Sequence, residues 1–443
     1  MRITSMRTHT TIEEMTGMRT DNRHLRQSHW WLALTITLTM ATGAWAQTSG
    51  DATAPPASAP TAAAAAAPAP PSITIYGFAM LDFGQNFKTI APNWSDTLRV
   101  TKLPSVEGQY GKNNSTFMGV RQSRLGFKTS NSTSLGELKT TFEFELFGTG
   151  VDEGQTTFRL RHAYGELGKF GAGQTWSVFM DPDVFPNSLE YWGPTGMVFF
   201  RNVQVRYMPI QGEKQNLTLA LERPGASGDA GVLADRVELQ NITSRNPAPD
   251  FTGQYTRGGK WGYVRVAGAV RRIAWDDNLA DEFELGGHAT GWGLNFSSNL
   301  KPSKKDVIRL QVVYGRGIEN YMNDVPVDIG IVANPGNPVT PILGKTIPVT
   351  GTVIFLDHTW TAKWTTAVGY SRTDVDNTSG QAPDAYKTGQ YFLGNALYSP
   401  APNVMVGGEF QWGRRTNFSD GFSSDGVKVQ FSFKYNFSYK VGG

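Results

Sequence analysis

From Val427 to Lys440 the chain alternates without a break. The odd positions are Val427, Val429, Phe431, Phe433, Tyr435, Phe437 and Tyr439, and the even ones Lys428, Gln430, Ser432, Lys434, Asn436, Ser438 and Lys440. Successive side chains of a strand point to opposite faces, so this run has one apolar face and one polar face. A soluble sandwich could use a single strand of this kind. Here the period-2 pattern recurs in about sixteen stretches: 72–83, 115–129, 136–147, 157–167, 170–178, 201–209, 216–222, 250–257, 261–274, 287–300, 306–316, 351–359, 363–374, 385–398, 403–415 and 427–440. Several approach the roughly 9–11 residues that a tilted membrane strand needs. The expected fold is all-β: a transmembrane antiparallel β-barrel of about sixteen strands, apolar outside and wet inside.

Composition supports this reading. Mean hydropathy is −0.33, and beyond the N-terminal region no segment supplies the roughly 20 apolar residues of a spanning helix. With no cysteine among 443 residues, disulfide scaffolds and cysteine metal sites are excluded. Arg19, Arg23 and Arg26, the apolar run Trp30–Ala41 and Ala44-Trp45-Ala46 read as a cleaved export signal over 1–46. Met18 would be the more ordinary start. Removing 1–46 leaves 36 Lys/Arg against 35 Asp/Glu, a net +1 that carries no nucleic-acid footprint. Residues 47–71 are rich in Ala, Pro, Ser and Thr and read as an extended periplasmic tether, or a plain spacer, ahead of a barrel over 72–443.

The connections are a separate test. Every second one is short, as at Gly168-Lys169, 258–260 and 360–362, while 84–115, 179–200, 224–249 and 318–350 are long. Short periplasmic turns, long outside loops and an even strand number are the habit of bacterial outer-membrane barrels. Both chain ends then fall on the periplasmic side, and a lectin-like sandwich is disfavoured.

A carboxylate facing lipid is costly, so Glu143 and Glu145 are expected inside, opposite Leu138, Phe142 and Phe144. By the same alternation Arg124, Arg159, Arg161, Arg206, Arg265, Arg271 and Arg309 form a basic lumen wall, with Phe158, Leu160 and Tyr164 outward on the fourth strand. These arginines either meet solute or serve as structural partners of Glu143 and Glu145. Tyr76, Trp261, Trp275, Trp360, Trp364, Tyr398, Trp412, Tyr435 and Tyr439 lie near strand ends, as an interfacial aromatic belt does. The third outside loop, 179–194, carries Asp181, Asp183 and Glu190. Folded into the lumen, it would narrow the pore and set those acids against the arginines, a transverse field that selects polar solutes. An external cap or an inter-subunit latch is the alternative.

Particular residues are familiar. Gln122-Ser123-Arg124-Leu125-Gly126-Phe127-Lys128 resembles the second-strand signature of general diffusion porins. Phe158-Arg159-Leu160-Arg161-His162-Ala163-Tyr164-Gly165-Glu166-Leu167, followed by Ala172-Gly173-Gln174-Thr175-Trp176-Ser177-Val178-Phe179-Met180-Asp181, resembles the DcaP-like trimeric outer-membrane porins. That resemblance covers about 72–206. It implies a sixteen-stranded barrel, a homotrimer, and passive passage of small, often anionic solutes such as dicarboxylates. The chain departs from the family at its tether, which has no heptads. It departs again at its end, where Lys440-Val441-Gly442-Gly443 follow Tyr439 in place of the terminal aromatic that barrel-assembly machinery reads.

The expected partners are therefore small hydrophilic solutes, outer-membrane lipid and lipopolysaccharide, the assembly machinery and two further copies of the chain. No cofactor and no metal site is expected, although Asp276-Asp277 and Asp281-Glu282 could bridge lipopolysaccharide through a divalent cation. A barrel hydrolase would need a nucleophile with a positioned base, and His162, His288 and His358 sit in no such pattern. An energy-coupled receptor would need a plug larger than 47–71. A structural or adhesion barrel is the remaining alternative.

Overall fold

The structure, a computed structural model, describes residues 70–442; the expected export signal at 1–46 and all but the last two residues of the expected tether at 47–71 lie outside the described residues. Sixteen antiparallel strands form one sheet rolled on itself. They are β1 (Ser72–Asn86), β2 in two pieces (Ser115–Gly119 and Arg124–Thr133), β3 (Gly136–Phe147), β4 (Thr156–Leu167), β5 (Phe170–Trp176), β6 (Arg201–Gln211), β7 (Gln215–Glu222) and β8 (Asp250–Gly259). The circuit continues through β9 (Gly262–Asp277), β10 (Gly287–Leu300), β11 (Asp306–Arg316), β12 (Pro348–Thr359), β13 (Trp364–Val375), β14 (Tyr386–Tyr398), β15 (Val404–Asn417) and β16 (Ser423–Gly442). β16 closes on β1 from Ser72↔Gly442 to Asn86↔Lys428. Closure pairs the first strand with the last, so the sheet has no free outermost strand, whose backbone lipid could not hydrogen-bond.

The alternation decides which face is outside, and the result inverts a soluble protein. On β10, Trp292, Leu294 and Phe296 are exposed while Asn295, Ser297 and Asn299 are buried. On β16, Phe431 and Phe433 are exposed while Lys428, Gln430 and Ser432 are buried. Trp261, Trp360, Trp364, Tyr435 and Tyr439 are exposed near strand ends. Tyr76 is not part of that belt: its hydroxyl donates to Glu143 inside the barrel at 2.8 Å.

Tyr164 also corrects the simple alternation. Phe144 pairs with Leu160 and Glu143 with His162, so Arg161 is an extra residue at a bulge. The bulge shifts parity by one. Arg159, Arg161 and His162 all serve the inner side, and Tyr164 turns inward with them, opposite Thr141. There it lies across Gly171 and Gly173 of β5. A side chain at Gly171 would collide with the Tyr164 hydroxyl, and Gly173 has φ +120°, open to glycine alone.

One end of the barrel has turns of two to five residues. The other carries the long loops, and three of these fold back into the lumen: L1 (87–114), L3 (177–200) and L6 (317–347). Trp94, Leu98 and Val100 of L1, Phe179, Val184 and Met197 of L3, and Ile318 and Tyr321 of L6 form one apolar core inside the wall. L6 therefore does both things a long loop can do. Residues 318–324 enter the lumen, where Tyr321 packs on Phe179 and Phe200. Beyond them, 329–333 and 342–346 make a hairpin joined by Gly228–Asp229 of the loop after β7.

Leu294→Arg, placing a guanidinium on the outward face of β10, should cost about 2–4 kcal/mol of folding stability in phospholipid vesicles. Leu294→Met, apolar at the same outward site, should cost less than about 1.5 kcal/mol. Urea unfolding of both variants in vesicles checks the pair.

Candidate functional site

The inner side chains of β1–β4 and β6 converge on two carboxylates. Arg161 donates through Nε to Glu143 and through Nη1 to Glu145, both at 2.6 Å. Arg124 reaches the same two carboxylates at 3.5 Å. Arg159 and Arg201 approach Glu145 at 3.5 and 3.7 Å. The Tyr191 hydroxyl of L3 donates to Glu145, and its ring stacks on Phe147 at 3.8 Å. Four guanidiniums thus surround two carboxylates, a formal excess of two positive charges. The arginines are not equivalent: the Arg161 side chain is 5% exposed, whereas Arg124 and Arg159 are 25% and 30% exposed and reach the lumen.

Arg201 escaped the sequence reading because it shares parity with the outward Val203 and Val205 of β6. It sits at the strand's first residue, where L3 returns, and its side chain turns inward over Trp176. Lys434 of β16 is a second unsuspected cation, visible in the sequence as an even, inward position. Its ammonium lies 4.0 Å from the Phe78 ring, and no ion pair is found for it among the described residues. A cavity of about 290 Å³ lies between Arg124, Arg161 and Lys434 on the wall and Phe185, Pro186 and Tyr191 of L3.

L3 crosses the lumen and its acids have separate fates. Asp181 accepts from Tyr263 at 2.8 Å and Ser297 at 2.5 Å and pairs with Arg265 at 3.2 Å, fixing one end of the loop to β9 and β10. Glu190 accepts from the backbone N–H of Leu98 and Trp192 and pairs with buried Lys428 of β16 at 3.3 Å. Glu409 of β15 accepts the N–H of Leu189 and Glu190 beside it. Both Asp181 and Glu190 are buried; Asp183 between them is exposed. Its backbone carbonyl accepts from Asn299 and Arg309, and Arg309 also pairs with Asp357 at 2.7 Å.

The remaining basic-wall residues brace the scaffold. Arg206 donates to Gln204 and to the Trp176 carbonyl. Arg271, almost wholly buried, joins Asp250 of β8 to Asp328 of L6 at 2.8 and 2.9 Å. The seven arginines therefore do not form one continuous wall: Arg124, Arg159 and Arg161 meet at the constriction, while Arg265, Arg271 and Arg309 hold loops. Asp276 pairs with Arg245, Asp277 accepts from Leu279 and Leu285 N–H, and Asp281 from Phe283 N–H. Among the described residues no group of three acids, histidines or cysteines is close enough to hold a metal ion.

In L6, Glu319 is buried with neither carboxylate oxygen hydrogen-bonded to the described residues. Burial, with Asp328 beside it, pushes its pKa well above the usual carboxylate range, against the opposing pull of the nearby Glu319 and Ile318 backbone N–H groups and of Arg271.

These features can be set beside known proteins. The family model for the DcaP outer membrane protein matches residues 71–322, more than half of the chain. The chain belongs to the DcaP outer membrane protein family. The outer membrane channel DcaP of Acinetobacter baumannii is 19% identical, with TM-score 0.70 over 83% of this chain and 97% of that one. The anion-selective porin from Comamonas acidovorans is 10% identical, with TM-score 0.54 over 83% and 100%. OmpT of Vibrio cholerae is 13% identical, with TM-score 0.51 over 83% and 98%. At these identities the likeness is one of fold. None of the curated proteins compared matches the chain. Family and fold together make this DcaP-family member an outer-membrane β-barrel.

Two predictions follow from the unequal burial of these groups. Arg161→Ala strips both buried carboxylates of their shortest partner and should destabilise the barrel by about 3–5 kcal/mol. Arg159→Ala, at a half-open pair, should cost about 1 kcal/mol or less; equal losses in urea unfolding would mean that burial does not separate them. For Glu319 the folded pKa lies above the unfolded one. The inner turn of L6 is then fully stable in acid and loosens as pH rises above roughly 4. Hydrogen exchange in 318–324, corrected for its intrinsic pH dependence, should increase from pH 5 to pH 8 and stay flat in Glu319→Gln.

Proposed function

We propose that this DcaP-family barrel is a passive pore for small polar solutes that favours anions, dicarboxylates among them. The observation that carries the reading is the charge balance at the constriction. Four guanidiniums face two carboxylates, Lys434 adds a fifth cation with no ion-pair partner among the described residues, and two of the three L3 acids are held in the wall by Arg265 and Lys428. What remains toward solute is positive on the β1–β4 side, with exposed Asp183 as the loop's free carboxylate. A solute with separated negative charges can exchange its water for Arg124, Arg159 and Lys434 in turn.

Assembly as a homotrimer is part of the same proposal. Most strands present bulky apolar residues outward. On β2–β5 Thr129, Thr140, Ala163, Gly165, Ala172 and Gln174 interrupt outward Leu125, Leu138, Phe142 and Phe170, a partly polar stretch that a second barrel could cover. A Vibrio cholerae OmpT structure, 12% identical, is described as a trimer form. The first described strand begins and the last ends at the short-turn end, where Ser72 pairs with Gly442, and we assign that end to the periplasm. The 47–71 tether then extends into it, and lipopolysaccharide surrounds the long-loop end.

Purified protein in planar bilayers should conduct in steps that close in threes and should show an anion-selective reversal potential in a salt gradient. Replacing Arg124, Arg159 and Lys434 together by Ala should move that potential toward cations. A folded protein without conductance removes the pore reading; an unchanged reversal potential removes the assignment of these three residues.

A further inference from the structure

We infer that the long-loop end of the barrel contains a binding site for a small neutral aromatic molecule of about phenol size, separate from the constriction. The site lies between two β-layers. One is the upper end of β9, extended by the short strand Ile242–Arg245, in which Ser244 pairs with Trp275. The other is the L6 hairpin, in which Ile331 pairs with Gly344, with Gly228–Asp229 at its edge.

Alternate residues of each layer face the other. Ile242, Ile273 and Trp275 meet Ile329, Ile331 and Ile342 across a cavity of about 270 Å³. Interiors are normally packed so closely that few voids exceed a water molecule. An apolar cavity of roughly 150 Å³ stays dry and accepts benzene. This one is larger, and it is lined on both layers by branched aliphatic side chains. It opens to solvent on the side of exposed Ser244, and its apolar walls leave room for one ring with a short substituent.

The polar groups narrow the ligand class. No Lys or Arg lines the cavity, so an anion has no partner there, unlike at the constriction. Asp229 is occupied by the Gly231 N–H at 2.8 Å and Gln381 at 3.2 Å, which leaves little for a cation. The Trp275 indole N–H is committed to the Leu285 carbonyl at 2.8 Å, so the ring offers only its apolar surface. A Cβ at Gly344 would come within 2.6 Å of that ring, and the glycine is what lets the indole form the wall. The exposed Ser244 side chain sits in the lining, a handle for one hydroxyl or similar group. Ser227, also in the lining, is committed to Asn320 and Asp328, and an apolar cleft with few available polar groups is the ordinary make-up of a small-molecule site.

The test uses 4-fluorophenol as the probe and the full barrel in nanodiscs, read by fluorine NMR against empty nanodiscs. Wild-type protein should give a saturable bound signal above the lipid background. Ile331→Trp and Ile242→Phe fill the cavity from opposite layers, and both should lose that signal while keeping single-channel conductance. No saturable signal above empty nanodiscs overturns the inference, and so does undiminished binding in both conducting variants. Because the readout is binding, its failure leaves the pore reading untouched.

Discussion

The structure depends on the rule that a backbone in lipid must satisfy its own hydrogen bonds. A sheet meets that rule only by closing on itself, and closure divides every strand into an outer and an inner row. Lipid then admits only apolar side chains on the outer row. Charge that the strands carry at membrane depth must go inside, into a volume where unpaired charge is expensive. The ion-pair network of the lumen follows from that constraint: Glu143 and Glu145 need cations, and Arg161 supplies two short charge-assisted bonds. Once those acids are neutralised, each further arginine is surplus. Surplus charge in a narrow, partly hydrated lumen is what can act on a passing solute.

The division between structural and available charge extends to the loops. An inward loop loses conformational freedom and must gain contacts that fix it. L3 does so at both ends through buried ion pairs, Asp181 with Arg265 and Glu190 with Lys428, and along its length through an apolar core shared with L1 and L6. The lumen of this barrel is thus not an open tube with a loop hung in it. It is a wall lined by a second, loop-built layer, and the free passage is what that layer leaves.

How much of this was legible in the sequence differs by physical cause. Strands were readable because lipid enforces period 2 over the full membrane thickness, and even the short β7 and β8 kept it. The bulge at Arg161 was not readable. Inserting one residue costs the alternation a single step, and Phe158-Arg159-Leu160-Arg161 looks regular until His162 and Tyr164 change sides. Arg201 was hidden for a similar reason: at a strand's first residue the side chain answers to the loop and not to the pleat. The inward fold of L3 was anticipated, but that of L1 was not. L1 carries no period, and the partners of Arg99, the rings of Trp94 and Trp192 and the carboxylate of Asp324, come from three separate loops.

The same contrast explains why residue type alone ranked the lumen arginines poorly. Arg161 and Arg159 are two positions apart on one strand and both point inward, yet one is enclosed by two carboxylates and the other is a third exposed. In a low-dielectric enclosure a guanidinium held by two carboxylates has little charge left to offer, while a half-solvated one beside an already satisfied acid retains most of its field. What an arginine can do for a solute is therefore set by how many acids it has already met. That number is fixed by bulges and loop anchors, which no single stretch of sequence encodes.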